Sequence, residues 1–431
     1  MLLTVLVVDA GARGHALSAA YEKSTLIKRI IVAPGNDFIQ YKREKEVILA
    51  PCSLQDPTSL LDIAKTYKPD LIDVAQDDAL AAGAVDLLTQ QGFLAFGPSR
   101  QAARIEWDKV WARNLMKKYD LPHPSFVVFD SADKARQYMT SLYSKGGQKS
   151  YYLKASGLCG GKGALKVDNW HDAMFAIEKM GSFGDAGKSF LLEDMLSGEE
   201  FSAYALCVGN NFVMLPSAQD HKRVFNYDKG PQTGGMGAYA PCSLSQQHYA
   251  EIENIFSRLL SALSAEGILY RGILYLGGIV TQGKVSVIEF NARWGDPECH
   301  VILPSLTGDY ASSIIEALEG RTMPQEHDAL FRVCVIGAIK GYPDSFENGK
   351  CIHDLEKAHA QHGVLVYGAG IQKEGGLFYA NGGRLFSVVG EGITFKEARQ
   401  RAYAAISHIY IEGNNLHYRT DIGWKEMERL L

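Results

Sequence analysis

Ser286-Val-Ile-Glu-Phe-Asn-Ala-Arg-Trp-Gly-Asp-Pro-Glu-Cys-His300 opens as an apolar strand, places Glu289, Asn291 and Arg293 at alternate positions, and turns at Gly295-Asp-Pro297. Alternate residues of a strand share one face, so three polar groups are held together at its end, while Val285, Val287, Phe290 and Trp294 supply the surface that buries it. A carboxylate and an amide oxygen two residues apart, with no Cys or His among them, suit a hard cation that keeps part of its water and bridges phosphates, as Mg²⁺ does. The guanidinium of Arg293 beside them is suited to a phosphate or carboxylate oxygen. The bland alternative is an edge strand whose Glu and Arg pair in solvent.

The rest of the chain fits an enzyme-sized cytoplasmic protein. Its 431 residues allow about three domains. With 44 Lys+Arg against 49 Asp+Glu and no basic tract, nucleic acid and anionic membranes are poor partners and small molecules good ones. Seven scattered Cys without a CxxC pair argue against a zinc site or a disulfide framework. The opening Met1-Leu-Leu-Thr-Val-Leu-Val-Val8 runs into Asp9 and Gly11 and reads as a buried parallel strand, not a signal peptide. No run of about 18 apolar residues offers a membrane span.

The first hundred residues alternate strands and helices: strands at 4–8, 30–33, 71–74 and 94–96, helices from His15 and over 58–67 and 79–90. This is a doubly wound parallel α/β unit. Gly11 and Gly14 in its first turn offer backbone N–H groups to an anion, or merely permit a tight turn; the full GxGxxG pattern is missing. A helix over 106–119 carries Lys109, and the prolines at 122 and 124 end it. A smaller unit follows, with strands at 151–155, 164–167 and 189–192. Residues 201–208 pair with 212–215, and 219–241 reads as a glycine- and charge-rich functional loop. Helix 246–265 and strands 272–281 and 285–291 come next, then a β-rich section from 331 with a helix over 395–409. No internal repeat is visible.

Between two of these strands, Gly157-Leu-Cys-Gly-Gly-Lys-Gly163 is a flexible turn whose amides and Lys162 suit phosphate, although it is not a Walker A loop. A plain hairpin is the alternative. Lys154 precedes it on the strand, where a lone Lys is more often exposed than a ligand. The turn after Leu192 can present backbone groups to an adenine edge, with Glu193 and Glu200 as acids for ribose hydroxyls, although acidic turns are also common on plain surfaces. Gln219-Asp-His-Lys-Arg223, followed by the dense Gly234-Gly-Met-Gly237, offers charges of both signs beside a closely approachable backbone.

QDHKR at 219–223, GPQTGGMGAYAP at 230–241, IEFNARWGDPE at 288–298, LLEDMLSGEEFS at 191–202 and KASGLCGGKG at 154–163 closely resemble the glycinamide ribonucleotide synthetase (phosphoribosylamine–glycine ligase) family. PGN at 34–36, FGPS at 96–99, KGYP at 340–343, NGGR at 381–384 and DIG at 421–423 extend the resemblance over nearly the whole chain. It implies an α/β ATP-grasp fold: a doubly wound N-terminal acceptor domain (1–104), an ATP-grasp domain (105–327) with a mobile lid near 124–194, and a β-rich C-terminal domain (328–431). It also implies ATP as co-substrate and Mg²⁺ or Mn²⁺ on Glu289 and Asn291. The expected ATP contacts are Lys109, Lys154, Gly160, Gly161, Lys162, Gly163, Glu193, Asp194, Leu196 and Glu200. Arg293, Asp220, His221 and Lys222 are expected around the acyl phosphate. Gly11, Arg13, His15, Asp77, Thr233, Gly234, Gly235, Met236, Gly237, Asp296 and Pro297 are expected around glycine and phosphoribosylamine. The implied product is glycinamide ribonucleotide of purine synthesis, made by a monomer or weak homodimer.

The sequence departs from the family's usual pattern in places. Gly14 stands where an acid is usual, Asp77 for Glu, Asp108 for Ser, Ser156 for Asp and Gln232 for Asn. Two of these, Gly14 and Asp77, fall on the acceptor domain. A related ligase joining an amino acid to another amine, and a silent nucleotide-binding protein, are the alternatives.

Overall fold

In the computed structural model, residues 2–144 and 149–430 are described, so Met1 of the opening run, residues 145–148 of the expected lid and Leu431 lie outside the described residues. The N-terminal part is a five-stranded parallel sheet in the order Glu46–Leu49, Ile27–Pro34, Leu3–Asp9, Leu71–Val74, Ala95–Phe96. Chain order runs outward from Leu3–Asp9 in one direction and then in the other. The carboxyl end of that central strand is therefore the topological switch point, where such sheets form a crevice. The turns after Asp9 and after Val74 flank it, and this brings Asp77 to the interior of the molecule.

The segment expected to form the lid is an antiparallel sheet in the order Phe126–Phe129, Phe190–Asp194, Tyr151–Ala155, Ala164–Val167, covered by helices Ala132–Ser144 and Trp170–Gly181. Its small core is built from Met139, Leu153, Ile177, Phe190 and Leu192. A nine-stranded sheet forms the body. It runs Lys284–Asn291, Arg271–Thr281, Glu199–Val208, Asn211–Asp220, Gly237–Ala240, Phe331–Ile339, Arg384–Gly392, Val364–Gly368, with Leu416–His417 alongside Phe331–Ile339. This sheet passes without interruption from the strand carrying Glu289 into the C-terminal section. A four-stranded sheet including Cys351–His353 completes that section.

Several expected elements differ. The helix over 79–90 is two, Asp77–Ala82 and Ala84–Gln90, because Gly83 between them adopts φ 87°. The helix over 106–119 breaks at Asp108, whose carboxylate caps Lys109–Lys118 by accepting the Trp111 N–H at 3.0 Å. The helix over 246–265 is also divided, into Ser243–Gln247 and Tyr249–Ala265. The strand expected at 189–192 continues through Asp194. The region 219–241 is largely not loop: Asn211–Asp220, Arg223–Phe225, Lys229–Gln232 and Gly237–Ala240 are strands. Its glycines and charges hid interior strands of the nine-stranded sheet because backbone pairing there comes from non-local neighbours, Gly237–Ala240 lying antiparallel to Phe331–Ile339.

Candidate active site

A cavity of about 250 Å³ lies between the lid and the nine-stranded sheet. The lid contributes Lys154, the 160–163 turn and the strand end at Glu193. The sheet contributes Glu200, Asp220, Lys222, Glu289, Asn291 and Arg293, and Asp77 enters from the N-terminal crevice. Lys109, Gly160, Gly161, Gly163, Asp194, Leu196, Thr233, Gly234 and Asp296 also line it.

Lys154 is buried, not an exposed alternation residue, and its Nζ lies 2.6 Å from Glu193 Oε2. Arg113 pairs with the other oxygen of the same carboxylate and also donates to the Ile288 carbonyl. Burial alone would raise the Glu193 pKa; Lys154 and Arg113 outweigh it and hold it at about 2. The Glu193 side chain is thus committed to fixing Lys154 and Arg113 at the cavity wall. The N–H groups of Asp194 and Met195 are bonded to the carbonyls of Ser125 and Ser150, while Asp194 and Leu196 both line the cavity.

Glu289 makes no ion pair among the described residues; it accepts a long hydrogen bond from the Asn291 amide, 3.5 Å from Oε1. Burial opposes its charge, yet Lys222, Lys154, Lys109 and Arg293 together keep its pKa below the ordinary value. A free carboxylate next to an amide whose carbonyl oxygen can turn outward is an all-oxygen donor set, and it fits a hard divalent cation. Arg293 is held by Glu106 at 2.7 Å and donates to the Trp294 carbonyl. Lys222 pairs with Asp220 at 2.8 Å, and although burial opposes it, the carboxylates of Asp220, Glu200 and Glu289 hold its pKa well up.

Nine expected residues do not line the cavity. His221 alternates with Asp220 and Lys222 and so points to the other face, where its Nε2 accepts the Gly423 N–H at 3.0 Å. Burial, aided by Arg419, lowers its pKa to about 4, so the ring is neutral. His15 accepts the Gly368 N–H at 2.9 Å and packs against Phe38 and Tyr367. Arg13 pairs with Asp9 at 2.6 Å and reaches the Trp294 carbonyl, so it braces the segment carrying Arg293. The N–H groups of Gly11 and Gly14 both go to Asp9 Oδ1, so this turn has no anion site to offer. Lys162 bonds the Pro343 carbonyl at 3.0 Å instead of a phosphate position. Met236 is core, packed with Val224 and Ala338. Gly237 lies in a strand where a Cβ would come within 2.5 Å of the Cys334 carbonyl. Gly235, at φ 113°, leaves no room beside Pro297: a Cβ there would sit 2.5 Å from Pro297 Cδ, so these two residues shape the loop from behind.

The departures from the usual pattern find structural partners. Asp108 and Ser156, which exchange the residue types usual at the two positions, meet in one hydrogen bond, Ser156 Oγ donating to Asp108 Oδ1 at 2.8 Å. A side chain at 14 would collide with Asp9, its Cβ lying 2.8 Å from that of Asp9, so the Asp9 side chain occupies the space. Asp77 keeps a depressed pKa because Arg293 and Arg13 outweigh its burial.

Residues that the sequence reading passed over complete the site. Glu106 and Arg113 lie on helices, where spacing alone does not mark them. Tyr275 and Glu298 line the cavity; Glu298 is in the very stretch that carries Glu289. The C-terminal motifs KGYP, NGGR and DIG converge on the substrate loops. Gly234 N–H donates to the Tyr342 hydroxyl at 3.1 Å, Arg384 holds the Gly234 carbonyl at 2.9 Å and Asp296 at 3.0 Å, and Gly423 holds His221.

Three domain descriptions match in succession: the phosphoribosylglycinamide synthetase N domain over residues 3–106, its ATP-grasp (A) domain over 107–299 and its C domain over 332–425. A phosphoribosylamine–glycine ligase of Streptococcus pneumoniae (strain R6) is 37% identical over 99% of this chain and 100% of its own length. One from Chlorobaculum tepidum is 35% identical with the same coverage. The crystal structure of the phosphoribosylamine–glycine ligase of Thermotoga maritima superposes with a TM-score of 0.80 at 31% identity, covering 97% of this chain and 100% of that one. A biotin carboxylase from Campylobacter jejuni, 16% identical with a TM-score of 0.72, shares the fold over 99% of this chain and 95% of its own. The chain belongs to the phosphoribosylglycinamide synthetase family and has its ATP-grasp fold.

Proposed function

We propose that the protein is an ATP-dependent ligase that joins glycine to 5-phosphoribosylamine, giving glycinamide ribonucleotide, ADP and phosphate in purine biosynthesis. The observation that carries this reading is the cavity, where Lys109, Lys154, Lys222, Glu289, Asn291 and Arg293 face one space in a chain similar along its whole length to ligases of that name. A binding module has no need of so complete a phosphate and metal set.

In this reading an oxygen of the glycine carboxylate attacks the γ-phosphorus of ATP, the bond to ADP breaks, and glycyl phosphate forms. The ribosylamine nitrogen then attacks the carbonyl carbon, phosphate leaves, and the nitrogen loses a proton. Lys154, fixed by Glu193, and Lys109 present positive charge to the phosphates at no reorganisation cost during the reaction. Glu289 and Asn291 would hold Mg²⁺ or Mn²⁺, which when bound offsets charge on the transferred phosphoryl group. Leu196 and Glu200 take the adenine and ribose end. Arg293 and Lys222 stand around the acyl phosphate.

Glycyl phosphate hydrolyses in water, so the lid must cover it. The 157–163 turn does so from above: a Cβ on Gly161 would lie 3.8 Å from Gly234, and Lys162 is fastened to Pro343. A monomer or weak homodimer is the assembly this reading expects. No described helix is long and apolar enough to cross a membrane, and the seven cysteines are free, which suits the cytoplasm. Replacing Glu289 by Ala tests the metal assignment: ATP binding should persist in part while glycine-dependent ADP formation is lost, and undiminished turnover would refute it.

A further inference from the structure

Four acids on the cavity wall make no ion pair among the described residues: Asp77, Glu200, Glu289 and Glu298. Nearby cations compensate two of them. Arg293 and Arg13 hold the Asp77 pKa down, and Lys222 with three other cations does so for Glu289. Glu200 and Glu298 are different. Burial pushes both above the ordinary carboxylate range; Lys222 offsets this only in part, and Asp220 adds repulsion. A buried carboxylate whose charge is only partly compensated is costly unless a ligand supplies the missing donor or charge. Glu200 has the ribose hydroxyls for this in the proposed reaction. Glu298 has the Ser202 hydroxyl but no paired cation among the described residues.

Its position is built. Ser202 Oγ donates to Glu298 Oε1 at 2.9 Å and lies 3.2 Å from the Tyr275 hydroxyl. The Tyr275 hydroxyl and Glu289 Cγ flank the bare Cα of Gly277, at 3.1 and 3.2 Å from where a Cβ would be. The chain Glu298, Ser202, Tyr275 thus runs to the same glycine that Glu289 borders. Gly295 keeps the other side open: a Cβ there would fall 2.6 Å from Glu298 Oε2 and 2.2 Å from the Tyr204 hydroxyl, which is buried without a partner. Glycine is a zwitterion whose ammonium is one carbon from the carboxylate that must reach the γ-phosphate. An acid close to the metal-binding acid, yet not itself paired with a cation, is where that ammonium can sit.

We propose that Glu298, anchored by Ser202, takes the ammonium group of glycine and sets the enzyme's preference for an amino acid over other small carboxylic acids. The assignment rests on the ligase reading above. The test compares glycine with glycolate, which carries a hydroxyl in place of the ammonium, in ATP-dependent ADP formation with phosphoribosylamine present. Glu298→Gln should raise the glycine KM roughly 10- to 100-fold, the range of a charged hydrogen bond. The ATP KM should stay put, and the preference for glycine over glycolate should shrink by the same factor. Glu298→Asp should keep that preference while binding glycine less tightly. An unmoved glycine KM, or equal losses for glycine and glycolate, would overturn the assignment while leaving the ligase reading intact. Failure of the unaltered enzyme to turn over glycine would overturn both.

Discussion

Replacing Glu193 by Gln should be among the most damaging single changes available, although this side chain touches no expected substrate. Its carboxylate is 2% exposed and pairs with both Lys154 and Arg113. Its pKa of about 2 in the folded chain, against an ordinary value of 4.5, corresponds to about 3 kcal/mol of stability at neutral pH, since each unit is worth about 1.4 kcal/mol. The depressed value means that this stability is fully present above the unfolded pKa and is lost as pH falls through the folded one. Wild type minus variant, measured by urea unfolding, should therefore decline from about 3 kcal/mol at pH 6 to about 2 at pH 3.5. Leaving two buried cations unpaired puts the loss near the low end of the range of about 3 to 5 kcal/mol seen when one partner of a buried pair is removed. Because Lys154 loses its anchor, the ATP KM should rise as well. A stability difference that stays constant with pH, or an unchanged ATP KM in the folded variant, would refute the role given to Glu193.

Ser156→Asp alone should destabilise by about 2 kcal/mol by setting two carboxylates against each other, and adding Asp108→Ser should recover most of it; double-mutant unfolding measures the coupling, expected at about 1 to 2 kcal/mol. His221→Phe should cost about 1 to 3 kcal/mol by orphaning the Gly423 N–H, with kcat within about threefold of wild type; a collapse of kcat in the folded variant would return His221 to the chemistry. As a neutral ring with a pKa of about 4, His221 should contribute no limb to the pH–rate profile between pH 5 and 8.

The sequence showed the cavity better than its surroundings. Glu289, Asn291 and Arg293 were legible because strand alternation forces them onto one face, and Lys154 with the glycine turn because a flexible cationic loop between two strands is locally encoded. The same alternation, applied to Asp220, His221 and Lys222, separates His221 from its neighbours, but only once that end of the segment is known to be extended, and the glycine-rich context concealed this. Arg13 and His15 misled because a charged residue after a strand suits an anion site as well as it suits a brace, and their partners, Trp294 and Gly368, are hundreds of residues away. Glu106 and Arg113 were invisible for the same reason: their meaning is the ion pair each makes across the fold, with Arg293 and Glu193. Glu298 was in plain view in the opening stretch, but an acid after a Gly-Asp-Pro turn has no meaning until its neighbours across the fold, Ser202 and the cavity, are known.

The central claim is that this cavity makes an amide from glycine and phosphoribosylamine with ATP. Incubating the protein with ATP, Mg²⁺, glycine labelled at its carboxyl oxygens and freshly generated phosphoribosylamine, and following products by mass spectrometry, tests it directly. The account predicts glycinamide ribonucleotide and ADP in equal amounts, with one labelled oxygen carried from glycine into the released phosphate. Amide formed without that transfer, or ADP formed without dependence on glycine and the ribosylamine, would contradict it.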